Sequence, residues 1–136
     1  MKRVNVVLGI CLLTMTQAVL ILPSHAFDLV GAWSSDASIC SKIFSRTANA
    51  ISFRQDSDQY GKGFIVEGNV IRGPTAKCVI KSKKENGSET NLLASCASEI
   101  MVDQTQLIFR IVDDNTIVRK FPGMENLESS YVRCPL

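Results

Sequence analysis

A turn signal midway between two cysteines is the feature that most constrains how this chain folds. Residues 76–83 and 90–97 can pair so that one face is more apolar and the other is mostly polar, and the stretch between them contains the turn-forming residue Gly87. Two such segments around a polar turn predict an antiparallel hairpin. With the turn centred on Gly87, Cys78 lies opposite Cys96, at a separation that a disulfide spans. We therefore predict the bond Cys78–Cys96.

The other cysteines indicate a second disulfide. One of the five cysteines lies in the first segment of the chain, which leaves Cys40 and Cys134 beside the hairpin pair. Four cysteines in a short exported chain are typical of two disulfides. A four-cysteine zinc site is the alternative, but such sites use cysteine pairs spaced by about two to four residues, and no such pair occurs here. The second predicted bond is therefore Cys40–Cys134.

The first residues have the three parts of a secretory signal peptide. Residues 2–3 are basic, residues 6–22 form an apolar run, and small residues follow at Ser24 and Ala26. The pattern predicts a signal peptide over residues 1–26 and one disulfide-stapled domain over residues 27–136. We expect that domain in the periplasm or outside the cell, in contact with a membrane only through its signal peptide. An uncleaved membrane anchor is the alternative, and polar residues within the run argue against it.

Removing that segment changes the charge and the available chemistry. The full chain has 15 basic and 13 acidic residues, so the loss of Lys2 and Arg3 leaves no net charge. A neutral domain has no broad field to attract nucleic acid, and we expect no such partner. The single histidine, His25, also leaves, which excludes histidine-based catalysis and zinc binding within the domain. No serine–lysine or paired-carboxylate constellation stands out, so we predict no catalytic residue, no cofactor and no metal site.

Strand signals dominate the rest of the chain. Residues 34–44 have the apolar spacing of one short helix, capped by Ser35 or Asp36. Residues 124–130 read as a connection. Further strands are predicted at residues 51–54, 64–67, 70–72, 105–112, 116–121 and 131–134. The fold class is therefore mainly all-β, a small antiparallel β-barrel or sandwich of about seven to eight strands with one short N-terminal helix.

The start of the domain resembles a known superfamily. Gly31 and Trp33, separated by one residue, are similar to the Gly-x-Trp opening of the calycins, which include lipocalins and small bacterial periplasmic protease inhibitors. The resemblance implies a barrel in which Trp33 plugs one end against a basic residue of a late strand. Arg133 is the natural partner in this chain, and Arg119 is the second. The inhibitors place a cysteine soon after the motif, as Cys40 is placed here, but their longer leading segment has no counterpart after the predicted cleavage.

Two surface features are candidate partner sites. A loop with apolar anchors, which an inhibitor would insert into a cleft, is predicted at Phe121, Pro122, Gly123 and Met124. A local basic patch that suits an anionic polymer is formed by Lys77, Lys81, Lys83 and Lys84. A solvated strand face is the alternative for the lysines. Residues 56–67 partly match a calcium loop, but a solvated turn explains them better.

These observations predict an exported binding or envelope-associated protein without catalysis. Its partner would be an envelope or extracellular protein or a small ligand. One alternative is an inhibitor of a protease or other hydrolase, which an exposed loop with apolar anchors would favour. A second alternative is a carrier of a small apolar ligand, which a cavity inside the barrel would favour.

Overall fold

The computed structural model describes residues 26–136, so the predicted signal peptide lies, except for Ala26, outside the described residues. Its cleavage and the domain boundary stay predictions. The described chain contains one α-helix, α1 (Cys40–Ile43), and two short 3-10 helices, Ala37–Ile39 and Ser57–Gln59. The strands are β1 (Gly31–Ser34), β2 (Phe44–Arg46), β3 (Ile51–Phe53), β4 (Gly63–Glu67), β5 (Val70–Arg72), β6 (Ala76–Asn86), β7 (Glu89–Ser98), β8 (Val102–Asp113), β9 (Thr116–Phe121) and β10 (Met124–Arg133).

Eight of these strands close into an antiparallel barrel. The order around the barrel is β1-β10-β9-β8-β7-β6-β5-β4, and β2 and β3 form a separate hairpin. The barrel closes at β1, because Trp33 pairs with Phe64 of β4 on one side and with Arg133 of β10 on the other. Period-two alternation on these strands places one set of side chains inside the barrel and the other outside. The predicted fold class is confirmed, with the barrel as the arrangement adopted.

The β6–β7 hairpin forms as predicted near the cysteines but not near its turn. Cys78 lies opposite Cys96, and both predicted disulfides, Cys78–Cys96 and Cys40–Cys134, are present. A turn centred on Gly87 would also place Ser82 opposite Leu92, and this expectation is wrong, because Ser82 lies opposite Leu93. The turn has two central residues instead of being centred on Gly87, and a bulge between Ile80 and Ser82 absorbs the shift of one residue.

The predicted connection over residues 124–130 is wrong, since these residues belong to β10. Gly123 has a φ of 78°, a left-handed conformation that glycine adopts readily, and the turn brings Met124 opposite Phe121. The pairing is irregular between Met124 and Glu128, and most side chains of this part of β10 are exposed. A strand without a buried face shows no apolar alternation, so periodicity could not find it.

The predicted single helix over residues 34–44 is divided and shorter. Asp36 is the cap, as predicted, because its carboxylate accepts the backbone N–H of Ser38 at 2.7 Å. A 3-10 turn follows, and α1 continues only as far as Ile43. Ser34 belongs to β1, and Phe44 has extended backbone and pairs with β3. Within residues 26–136, no helix is long and apolar enough to cross a membrane.

The chain builds two apolar cores, one on each side of the barrel wall. The interior core contains Trp33 and the inward side chains of most barrel strands. The outer core forms where Ala32 and Ile65 face outward and are covered by Ile43 and Phe44. The Cys40–Cys134 bond lies within this outer core and ties α1 to the end of β10. The segment between β1 and β4 therefore packs against the outside of the barrel.

Candidate functional site

One end of the barrel is closed by Trp33. Its side chain is 0% exposed, and its Nε1–H donates to the carbonyl oxygen of Leu29 at 2.8 Å. The ring of Phe27 lies 6.2 Å from the Trp33 ring, and the guanidinium carbon of Arg133 lies 4.4 Å from its centroid. The indole is buried, its one donor is satisfied and a cation lies over its face, so this side chain stabilises the barrel end and offers no free group to a ligand.

Arg133 fixes the segment that leads into β1. Its guanidinium donates to the carbonyl oxygens of Asp28 at 2.7 Å and Asp114 at 3.0 Å, and also to that of Val30. Gly31 has a φ of 132°, and a Cβ on this residue would lie 3.1 Å from the guanidinium. Glycine is therefore required beside Arg133. The structure brings together the three residues named by the calycin resemblance, whereas Arg119 lies elsewhere in the barrel.

The opposite end of the barrel contains a cavity of about 410 Å³. Its walls are inward side chains of β4, β5, β8 and β10, together with the Cys78–Cys96 bond. The apolar and aromatic residues that line it include Phe64, Ile71, Leu107, Phe109 and Tyr131. Aromatic contacts, such as the edge-on approach of Phe64 and Tyr131 at 5.0 Å, hold these walls in place. An eight-stranded barrel is wide enough to hold one small ligand in such a space.

Of the residues that the structure describes, two basic ones also line this cavity and no acidic one does. Lys62 is exposed at the mouth, near Pro74 of the β5–β6 connection. Arg119 lies deeper, opposite the buried Phe109 on the neighbouring strand. Its guanidinium carbon is 4.7 Å from the centroid of Phe121, and its buried Nε has no hydrogen-bond partner among the described residues.

The calycin resemblance implies for Arg119 only the role of a second partner for Trp33. Its position inside the barrel follows from the two-residue period of strand β9. Ile117 is fully buried, and Arg119 is the next residue on the same face. An arginine in phase with core residues indicates a charge inside the barrel. The cavity itself could not be predicted from the sequence, because its walls come from strands that are distant along the chain.

The predicted partner loop forms the β9–β10 turn, at the cavity end of the barrel. Pro122 and Gly123 are its two exposed central residues. Met124 is 57% exposed, but Phe121 is half-buried beneath the guanidinium of Arg119. The turn therefore offers one exposed apolar anchor, and its role as a partner loop stays a prediction.

The four lysines of the predicted basic patch do not share one face of β6. Lys81 occupies the bulge, so the alternation of side chains changes phase there. Beyond the bulge, Lys83 lies opposite the buried Leu92, and its Nζ is 2.6 Å from the Glu85 carboxylate. Lys77 and Lys84 lie on the outward face. Their binding role also stays a prediction.

The partial calcium motif forms a turn rather than a cluster of carboxylates. Asp56 has a φ of 56° and precedes the 3-10 helix Ser57–Gln59. Across residues 26–136, no group of three or more histidine, cysteine, aspartate or glutamate side chains is arranged to hold a metal ion. Hydrogen bonds from Ser38, first from its backbone N–H and then from its hydroxyl, hold the pKa of the Asp36 carboxyl below its ordinary value.

Comparisons of the chain with protein-family models, with curated proteins and with solved structures find no match. Function must therefore be argued from the site itself. The two disulfides are typical of a protein that folds in an oxidising compartment.

Proposed function

We propose that this protein is an exported binding protein without catalytic activity, which holds one small apolar ligand in the barrel cavity. The observation that carries the proposal is the cavity of about 410 Å³ walled by Phe64, Ile71, Leu107 and Phe109. Trp33 closes the barrel at the opposite end. The ligand would therefore enter past Lys62 and leave by the same mouth.

The size and lining of the cavity define the ligand class. Small-molecule sites usually occupy about 300–1,000 Å³ and are mainly apolar with a few polar groups. This cavity lies at the lower end of that range, which suits one fused ring system or a short acyl chain. Each square ångström of apolar ligand surface transferred from water contributes about 25 cal/mol, so burial of the ligand body supplies most of the binding free energy.

The proposal also includes a location outside the cytoplasm and a barrel of the calycin type. A periplasmic or secreted location is supported by the two disulfides and by the signal-peptide pattern of residues 1–26. A calycin-type barrel is supported by the eight-stranded closure and by the meeting of Gly31, Trp33 and Arg133 at one end. An eight-stranded barrel is wide enough to hold one small ligand, in agreement with the cavity.

Binding of a neutral fluorescent ligand tests the proposal. The protein is expressed from its full sequence, purified with both disulfides formed, and titrated with N-phenyl-1-naphthylamine, whose emission rises in an apolar site. We expect saturable binding with one site per chain. Thr105→Phe places a large side chain at a residue that lines the cavity, and it should weaken binding at least tenfold.

The neighbouring substitution Gln104→Phe is the matched control, since Gln104 is exposed on the other face of the same strand. It adds the same ring outside the barrel and should leave the affinity unchanged. Absence of saturable binding to the wild-type protein would contradict the proposal. Equal affinities of the two variants would also contradict it, because the probe would then be bound outside the cavity.

Inhibition of a hydrolase is the second candidate, favoured by the turn between β7 and β8. Ile100 is 92% exposed, Met101 60% and Val102 74%, so this turn presents consecutive apolar side chains to solvent. A rigid hairpin with apolar anchors can block an enzyme cleft. Inhibition of elastase- or subtilisin-type proteases that Ile100→Asp abolishes, and Gln104→Phe does not, would support this role. Unchanged protease activity at micromolar inhibitor would contradict it.

A further inference from the structure

We propose that the cavity ligand carries one anionic group and that Arg119 binds this group. The inference rests on the proposed function, because it assigns the chemistry of a ligand in the same cavity. The ligand class is an apolar ring or chain that bears a carboxylate, sulfonate or phosphate. The feature that carries the inference is a guanidinium inside an apolar barrel with an unpartnered, buried nitrogen.

The position of Arg119 inside the barrel follows from the ladder. Ile117 lies opposite Tyr131 of β10, and both are core residues. Two residues further along β9, Arg119 returns to the same face and lies opposite Phe109, which is 2% exposed. The side chain therefore projects among the residues that line the cavity, and no alternative pairing moves it outside without exposing Ile117.

The other arginines of the described chain all donate to a protein oxygen. Arg54 donates to a backbone carbonyl, and Arg72 and Arg110 donate to glutamates. Arg46 and Arg133 donate to backbone carbonyls. Arg119 has no hydrogen bond and no ion pair among residues 26–136, and its Nε is buried. It differs from the others in lining the barrel cavity without a hydrogen-bond partner among the described residues.

The buried Nε–H of Arg119 needs an acceptor, because the described residues supply none. A buried donor without an acceptor is costly, and the guanidinium favours an anionic one. An anionic oxygen in the cavity would accept the Nε–H and restore a charge-assisted hydrogen bond. The aromatic ring of Phe121, 4.7 Å from the guanidinium carbon, restricts the guanidinium and prepares it for this contact.

The charge balance of the cavity points to the same ligand class. Lys62 at the mouth is a second basic residue of the lining, and no aspartate or glutamate of the described part of the chain belongs to this lining. An anion would meet two cations and no like charge, whereas a cationic ligand would face repulsion from both. The apolar body of the ligand would occupy the space between Ile71 and Leu107, with its anionic group beside Arg119.

Two dyes that share their rings but differ in charge test the inference. 8-Anilinonaphthalene-1-sulfonate carries the apolar rings of N-phenyl-1-naphthylamine and adds one sulfonate. Each is titrated into the wild-type protein and into Arg119→Met, Arg119→Lys and Arg110→Met, all with both disulfides formed. Arg110→Met is the matched control, because Arg110 lies on the adjacent strand and pairs on the outside of the barrel with Glu128.

We expect Arg119→Met to weaken sulfonate binding at least tenfold more than it weakens binding of the neutral dye, because only the sulfonate loses an ionic partner. Arg119→Lys should retain part of the preference, since it keeps the charge but loses the planar fork. Arg110→Met should match the wild-type protein. Displacement of the sulfonate dye by decanoate or by 1-naphthoate then distinguishes an acyl chain from an aromatic acid as the natural body.

The outcomes separate this inference from the proposed function. Saturable binding of both dyes with no effect of Arg119→Met would overturn the role of Arg119 while the cavity remained a binding site. Tighter binding of the sulfonate to Arg119→Met would overturn it as well. Failure of both dyes to bind the wild-type protein would overturn the proposed function and this inference with it.

Discussion

The guanidinium carbon of Arg133 lies 4.4 Å from the centroid of the Trp33 ring, and the guanidinium nitrogens donate to the backbone carbonyls of Asp28 and Asp114. At the other end of the barrel, the guanidinium carbon of Arg119 lies 4.7 Å from the centroid of Phe121, but its Nε has no partner within residues 26–136. Both guanidinium groups lie over an aromatic ring, but only that of Arg133 has hydrogen-bond acceptors among the described residues. The first closes the barrel, and the second leaves hydrogen-bonding capacity directed into the cavity.

Replacement of Trp33 by alanine should strongly destabilise the domain. The change removes a fully buried ring and leaves a space between Phe27 and Phe64, with an expected loss of about 3–5 kcal/mol in the free energy of unfolding. Denaturant titration of the oxidised protein measures it, and wild-type emission should be blue-shifted and poorly quenched by iodide. A red-shifted, readily quenched tryptophan with little loss of stability would place this ring at the surface instead.

Replacement of Arg133 by lysine should loosen the segment before β1. Lysine keeps the charge but cannot lie flat on Trp33 while it donates to three separate carbonyls. We expect a lower melting temperature and faster amide exchange at Val30. Arg110→Lys, at a partly exposed ion pair, is the control and should change both quantities little. Equal effects of the two substitutions would show that Arg133 acts only as a charge.

Loss of the Cys40–Cys134 bond should cost more stability than loss of Cys78–Cys96. The bonds join residues 94 and 18 positions apart. If loop-closure entropy dominates, they contribute about 4–5 and about 3 kcal/mol respectively. Paired cysteine-to-serine variants, compared by denaturant titration, measure the difference. A larger loss of stability on removal of Cys78–Cys96 would contradict this expectation. It would show that α1 stays packed against the barrel without the Cys40–Cys134 bond.

Asp36 should contribute a pH-dependent part of the stability. Hydrogen bonds from Ser38 lower the pKa of the folded carboxyl below its ordinary value. The stabilisation is therefore complete above the ordinary pKa and is lost as the pH falls through the lower, folded value. Unfolding of the wild-type protein and of Asp36→Asn should differ near neutral pH and converge under strongly acidic conditions. A difference that grows on acidification would contradict this assignment.

The sequence predicted those parts of the fold that depend on local pattern. The cysteine hairpin was predictable because Cys78 and Cys96 are close along the chain and flank a clear turn. The exposed half of β10 was not, because a strand whose two faces are both solvated lacks alternation. The meeting of Trp33 and Arg133 was implied by family resemblance, whereas the cavity depends on how completely distant side chains fill the barrel. Local sequence patterns do not predict how much of the barrel interior the side chains leave unfilled.

Backbone amide NMR of the oxidised protein during addition of N-phenyl-1-naphthylamine tests the central claim most directly. If the cavity holds the ligand, the largest saturable shifts occur at residues of its wall, Ile71, Leu107 and Phe109, and Thr105→Phe abolishes them. Shifts confined to the exposed apolar turn at Ile100, or no saturable shifts, would contradict the claim that this barrel is a ligand-binding protein.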